Sequence, residues 1–125
     1  MLSLEDASIV SGIFSELASE TRCSILISLD KKPAKLSSIA RELDITSQDA
    51  FRNINKLLDA GLVRRRGGED GSAFQLTELG RLATKQIPYF LAIRKHKELF
   101  EDHTLNYIFP ISLFIELVLC RTVKL

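Results

Sequence analysis

Cysteine is scarce in this chain of 125 residues. Cys23 and Cys120 stand far apart, without the close spacing of a metal site. That usage fits a reducing cytoplasm better than a disulfide scaffold. Long apolar runs are missing too. The longest, Ile108 to Cys120, is interrupted by Pro110, Ser112 and Glu116. A spanning helix needs about 20 apolar residues, so no membrane partner is expected. The acidic N-terminus lacks the basic start of a signal peptide. A G-x-G-x-x-G loop is absent, and no pattern supports Ser-His-Asp catalysis. An enzyme is therefore not expected, nor is a cofactor. There is no internal repeat and no low-complexity linker.

What is present is an ordinary globular composition, 46% apolar and 26% charged. It suits one compact domain with a helical extension. The net charge of +1 hides a gradient. Residues 1–20 carry four acids and no base, residues 21–66 carry ten bases against five acids, and residues 67–125 carry seven of each. Positive charge gathered in one stretch points to a local face for a polyanion.

Helical signals open the chain. Ser3 is placed to cap a first helix, with Asp6 at its third position and Ile9, Val10, Ile13, Phe14 and Leu17 recurring on one face. Ser19 is placed to cap a second helix to about Leu29, and Pro33 prevents its continuation. Lys35 and Leu36 suit a very short strand. Ser37 then opens a helix with Ile39, Ala40 and Leu43 inward. After the tight connection Asp44-Ile45, Thr46 caps a helix that ends at Gly61, the usual residue for a left-handed cap. Leu62–Arg66 and Ser72–Leu76 read as hairpin arms around "GGEDG". Thr77 caps a helix to about Gln86. Pro88 suits the first turn of a further helix to about His103, and an apolar helix follows Pro110.

Two helices joined by a tight turn and followed by a hairpin make a winged helix-turn-helix. The expected fold is mainly α with a small β-hairpin, with additional N- and C-terminal helices. Residues 1–86 form the DNA-binding domain, and residues 87–125 a helical extension for dimerisation or linkage. In such a motif the second helix enters the major groove with its N-terminal residues at base edges.

That helix is two-faced. Ala50, Ile54, Leu57 and Leu58 form an apolar stripe, and Gln48, Arg52, Asn55, Lys56 and Asp59 lie opposite. Gln and Asn suit adenine, Arg suits guanine, and Lys suits phosphate. Ser47 completes the candidate set at the helix start. A plain solvated face has the same composition. Asp49 fits a cap that bonds back to the Thr46 amide better than it fits cytosine reading. Phe51, at the edge of the stripe, suits packing or a thymine methyl. Arg64, Arg65 and Arg66 alternate sides on a strand, so Arg65 faces away from the other two. They suit a wing gripping phosphate, with solvated edge protection as the bland alternative.

These residues carry a resemblance. "LASETRCSILISL", "IARELDITSQDAFRNINKLLDAGLV" and "FQLTELGRLA" resemble the winged-helix domain of ArsR-like archaeal transcriptional regulators. Asp44 departs from the pattern, since many such turns place glycine there. "IPYFLAIRKHKELFEDHTLNYIFPISLFIELV" resembles the linker of archaeal regulators similar to the methanogenesis-regulator family. In those a larger C-terminal sensor domain follows; the chain here ends soon after the linker, so a sensor role is not carried over, and the resemblance leaves the small-molecule effector unknown. The resemblance implies a regulator that binds double-stranded DNA.

A winged helix used only for protein contact is the competing reading; it predicts weak, salt-insensitive DNA binding. A homodimer is expected, through the N-terminal helix (Ile9, Ile13, Phe14) and the C-terminal helix (Leu113, Phe114, Leu117), or through the helix from Pro88. His96 and His103 are two helical turns apart, about 10 Å of rise, which is too far for one metal. Cys23 reads as a small core residue.

Overall fold

Two serines start the first two helices. In the computed structural model, which describes residues 1–67 and 73–95, Ser3 caps α1 (Leu4–Leu17) with a closed capping box. The Asp6 carboxylate accepts from the Ser3 amide at 2.6 Å and the Ser3 hydroxyl at 2.9 Å, which holds it below the usual carboxylate range. Ser19 caps α2 (Glu20–Lys31) by accepting from the Arg22 amide.

Ala34–Lys35 form β1, and α3 is Leu36–Glu42. Sequence reasoning put Leu36 in the strand and opened the helix at Ser37. Instead α3 begins one residue earlier, at Leu36, with Lys35 at the cap position and no side-chain bond there. The reason is pairing: β1 matches β3 only at Ala34 and Lys35, which frees Leu36 to start the helix and pack toward the core.

α3 ends in left-handed backbone at Asp44, φ 53°. Asp44 N donates to Arg41 O and Ile45 N to Ala40 O, the pair of bonds of a Schellman cap. α4 (Ser47–Asp59) ends the same way at Gly61, φ 73°, with Gly61 N on Leu58 O and Leu62 N on Leu57 O. The second site has glycine, for which this backbone is free of Cβ strain; the first does not.

The hairpin follows as β2 (Val63–Arg65) and β3 (Ala73–Leu76), in a three-stranded antiparallel sheet of order β1-β3-β2. Most of the expected turn, from Gly68 to Gly71, lies outside the described residues, as does Ser72 at the start of the expected second arm. The core collects Ile25, Leu26 and Leu29 of α2, Ile39 of α3, Ile54 and Leu57 of α4, and Leu62, Val63, Phe74 and Leu76 of the hairpin. Each such side chain contributes about 1.5–3 kcal/mol on burial. Cys23 is only half-buried beside this core, and its Sγ contacts Leu17 O at 3.0 Å.

Thr77 fastens the last described helix to the rest. Its hydroxyl donates to Gly61 O at 2.6 Å and accepts from Gly80 N at 3.0 Å, so it caps α5 (Glu78–Lys95) as expected. α5 corrects the sequence reading at Pro88. The proline lies inside one continuous helix rather than opening a second. An interior proline costs one i→i−4 bond and about 3 kcal/mol. Good helix formers on both sides, Leu82, Ala83, Lys85 and Gln86 before the proline and Leu91, Ala92, Arg94 and Lys95 after it, make continuation cheaper than two new helix ends with their unpaired backbone groups. The boundary between two compact units falls at Thr84 and Lys85, so α5 begins in the first and ends in the second. His96, His103, Cys120 and the predicted C-terminal helix with Leu113, Phe114 and Leu117 lie outside the described residues. Among the described residues, no cluster of His, Cys, Asp or Glu is suited to a metal ion, and no helix is long and apolar enough to cross a membrane.

Candidate nucleic-acid interface

α4 is held from three sides, by α2, α3 and β2. Ala50, Ile54 and Leu57 are fully buried, and Leu58 packs partly against the core. This anchoring leaves one face outward. Ser47, Gln48, Arg52 and Lys56 are exposed, and Asn55 is half-buried. Gln48, Arg52 and Lys56 recur every four residues, so they form a row along the helix. Phe51 is 48% exposed at the margin of that row, too open for a core role.

The start of the helix differs from expectation in one bond. Thr46 Oγ1 accepts from Asp49 N at 3.0 Å, as a cap should. The Asp49 carboxylate does not reach back to the Thr46 amide. One oxygen takes the Thr46 hydroxyl at 2.9 Å, and the other faces Arg52 Nη1 at 3.8 Å. Both partners of that ion pair are more than half exposed. Such an i,i+3 pair is worth only about 0.2–0.5 kcal/mol, so Arg52 leaves it easily for a stronger acceptor.

Asn53 escaped the sequence reading. It sits between the two faces of α4, donates to Asp49 O at 2.9 Å and lies 3.4 Å from Arg22 Nη1. Arg22 itself is largely buried, its side chain 12% exposed. It donates to Glu16 O at 2.5 Å and to Ser15 O at 3.2 Å, joining the end of α1 to α4 through α2. One arginine near the start of a helix gives no sequence signal for such a tie.

The three wing arginines are all exposed, and the hairpin register separates them. Val63 pairs with Leu76 and Arg65 with Phe74, so Arg65 stands on the core-facing side. Its guanidinium lies 5.2 Å from the centre of the Phe74 ring. Arg64 pairs with Gln75 on the other side. With its amide turned to satisfy both groups, the Gln75 oxygen accepts from Arg64 Nη2 at 2.6 Å and Nε at 2.7 Å. Arg66 follows the strand, and its amide donates to Ala73 O at 2.7 Å.

The arrangement of helices and hairpin recurs in known proteins. Residues 17–66 match the family model described as a helix-turn-helix domain. No curated protein matches the chain. Among solved structures it is similar to the transcriptional repressor BigR from Xylella fastidiosa, at 18% identity and TM-score 0.63, covering 70% of this chain and 89% of that one. Reduced HlyU from Vibrio cholerae gives 17% identity and TM-score 0.60, covering 70% and 92%. The homodimeric winged helix-turn-helix DNA-binding domain of a possible ArsR-family regulator from Mycobacterium bovis gives 18% and 0.62, covering 82% and 95%. The fold is a winged helix-turn-helix. Within it α3 and α4 are the motif's two helices, and the β2–β3 hairpin is the wing.

Proposed function

We propose that the protein is a sequence-specific transcriptional regulator that binds double-stranded DNA as a cytoplasmic homodimer and catalyses no reaction. The exposed row Gln48–Arg52–Lys56, backed by fully buried Ala50, Ile54 and Leu57, carries this reading. It gives a rigid helix an outer edge that can meet base edges and phosphates. Ser47, at the helix start, serves phosphate; Asn55 and Phe51 flank the row. The wing arginines add sequence-independent affinity beside it. The BigR likeness and the dimeric mycobacterial domain favour the same role.

The dimer draws on α1. This helix buries no residue fully, and Leu4 and Ile9 are 93% and 67% exposed. A second copy is the partner such a face suits in a protein that reads paired half-sites.

An electrophoretic titration against genomic DNA fragments at two salt concentrations tests the proposal. Tight binding to a few fragments, weakened steeply by salt, is the expected result. Weak binding to all fragments, insensitive to salt, sinks it in favour of a protein-contact module.

A further inference from the structure

One residue of α4 does not fit a helix that meets only solvent and core. Phe51 is a large apolar side chain left half exposed, whereas Ile54 and Leu57 of the same helix are buried and Leu58 is half-buried. Among the described residues of α3, α4 and the hairpin, it is the only large apolar side chain that is exposed. Elsewhere such side chains come in groups, Leu4, Ile9 and Val10 on α1 and Leu79, Leu91 and Ile93 on α5. Grouped apolar residues suit another apolar face; a single one among polar groups does not.

Its neighbours are groups that suit bases. Gln48 lies three residues before Phe51 and Asn55 four after, and residues so spaced stand side by side on a helix. Helical side chains lean toward the N-terminus, so the ring covers the turn that holds Ser47 and Gln48. That is the end of the second helix which a helix-turn-helix brings to base edges. The backbone beneath is fixed. Ala50 beside Phe51 and Ile54 one turn on are fully buried, and Asn53 meets Arg22 of α2. The ring has no hydrogen-bonding group to read a base. It offers an apolar edge, and the apolar group displayed in the major groove is the C5-methyl of a pyrimidine.

We infer that Phe51 is a specificity-determining residue that packs its ring on the methyl of a thymine in each half-site. The inference rests on the proposed DNA binding and names a base which that binding reads. A C5-methyl is carried by 5-methylcytosine as well. Thymine is the carrier this helix suits, because its partner adenine presents the N6 and N7 that the neighbouring Gln48 can bond. Gln48 and Phe51 together then select an A·T pair.

Removal of that methyl alone tests the contact. The whole protein is titrated with its preferred duplex, made synthetically without methylated cytosine, and with duplexes in which each thymine in turn is replaced by uracil. Uracil keeps every hydrogen-bonding group of thymine and loses only the methyl. The expected result is one position per half-site where the swap weakens binding by about fourfold, the worth of one buried methyl. The same swap should be silent in Phe51→Ala and in Phe51→Ser. A uracil penalty that persists in these folded variants assigns the methyl to another residue and overturns the inference. A preferred duplex that binds equally well with uracil at every position also overturns it, and leaves the proposed function standing. A protein with no preferred duplex loses the proposed function and this inference together.

Discussion

Asp44 and Gly61 occupy the same backbone position at the ends of consecutive helices, with the same pair of cap bonds. Left-handed backbone costs a residue with a Cβ about 1–2 kcal/mol, less for Asp. Asp44→Gly should therefore raise stability by up to about 1 kcal/mol, read as a higher denaturation midpoint at unchanged slope. A decrease would mean that the Asp44 carboxylate holds the turn in some way the backbone does not require. At the reading face, Gln48→Ala or Arg52→Ala should cost about 1–3 kcal/mol on the preferred site and relax base preference. Competition between preferred and scrambled duplexes measures both. Wild-type selectivity in either variant would return the row to a solvated helix surface. The ion pair to Asp49 does not blunt this prediction, since its worth is several-fold smaller than a bidentate base contact.

At the scale of elements, most of the fold was legible in the sequence, and the exceptions have physical causes. Caps at Ser3, Ser19, Thr46 and Thr77 were visible because a short polar side chain precedes each apolar-periodic run. The start of α3 was not, because it is set by strand pairing far along the chain. Pro88 was misread because local chemistry favours a break, whereas helix continuity depends on propensities to either side. The polar row of α4 followed from periodicity alone. Asn53 and Arg22 did not, since each depends on tertiary neighbours. Gly80 belongs with these. A Cβ there would lie 2.0 Å from Leu62 O, so α5 crosses the chain at the start of the wing with no room for a methyl. Gly80→Ala should destabilise by about 1–3 kcal/mol despite its better helix propensity. A calorimetric midpoint at or above the parent value would show that α5 lifts off freely. The α1 cap adds a pH dependence. Asp6 is held low by bonds from Ser3, so its contribution is complete above the ordinary carboxylate pKa and is lost as pH falls through the lowered value. Carboxyl-carbon NMR should show Asp6 titrating below an unstructured aspartate, and a normal midpoint would mean the cap is open in solution.

For the whole molecule, the separation of the wing arginines by strand register becomes a count of phosphates. Arg64 and Arg66 share the outer face of the sheet with Lys35, whereas Arg65 stands on the core side against Phe74. If the outer face follows the DNA backbone, two arginines per protomer release counterions and the third does not. In a dimer that makes four phosphates, so the joint variant Arg64→Ala/Arg66→Ala should flatten the salt slope by about 3–4 units. Arg65→Ala should leave the slope nearly unchanged and cost about 0.5–1 kcal/mol of stability through the lost ring contact. The joint variant should stay folded, because the Arg64–Gln75 contact is a cross-strand pair worth about 0.2–1 kcal/mol. Sedimentation of the free protein at tens of micromolar fixes the multiplier. A dimer carries the full change, and a monomer that binds one half-site carries about half of it. An unchanged slope in a folded Arg64→Ala/Arg66→Ala protein would take the wing out of the DNA interface. A slope change produced by Arg65→Ala alone would show that the hairpin presents its other face to the duplex.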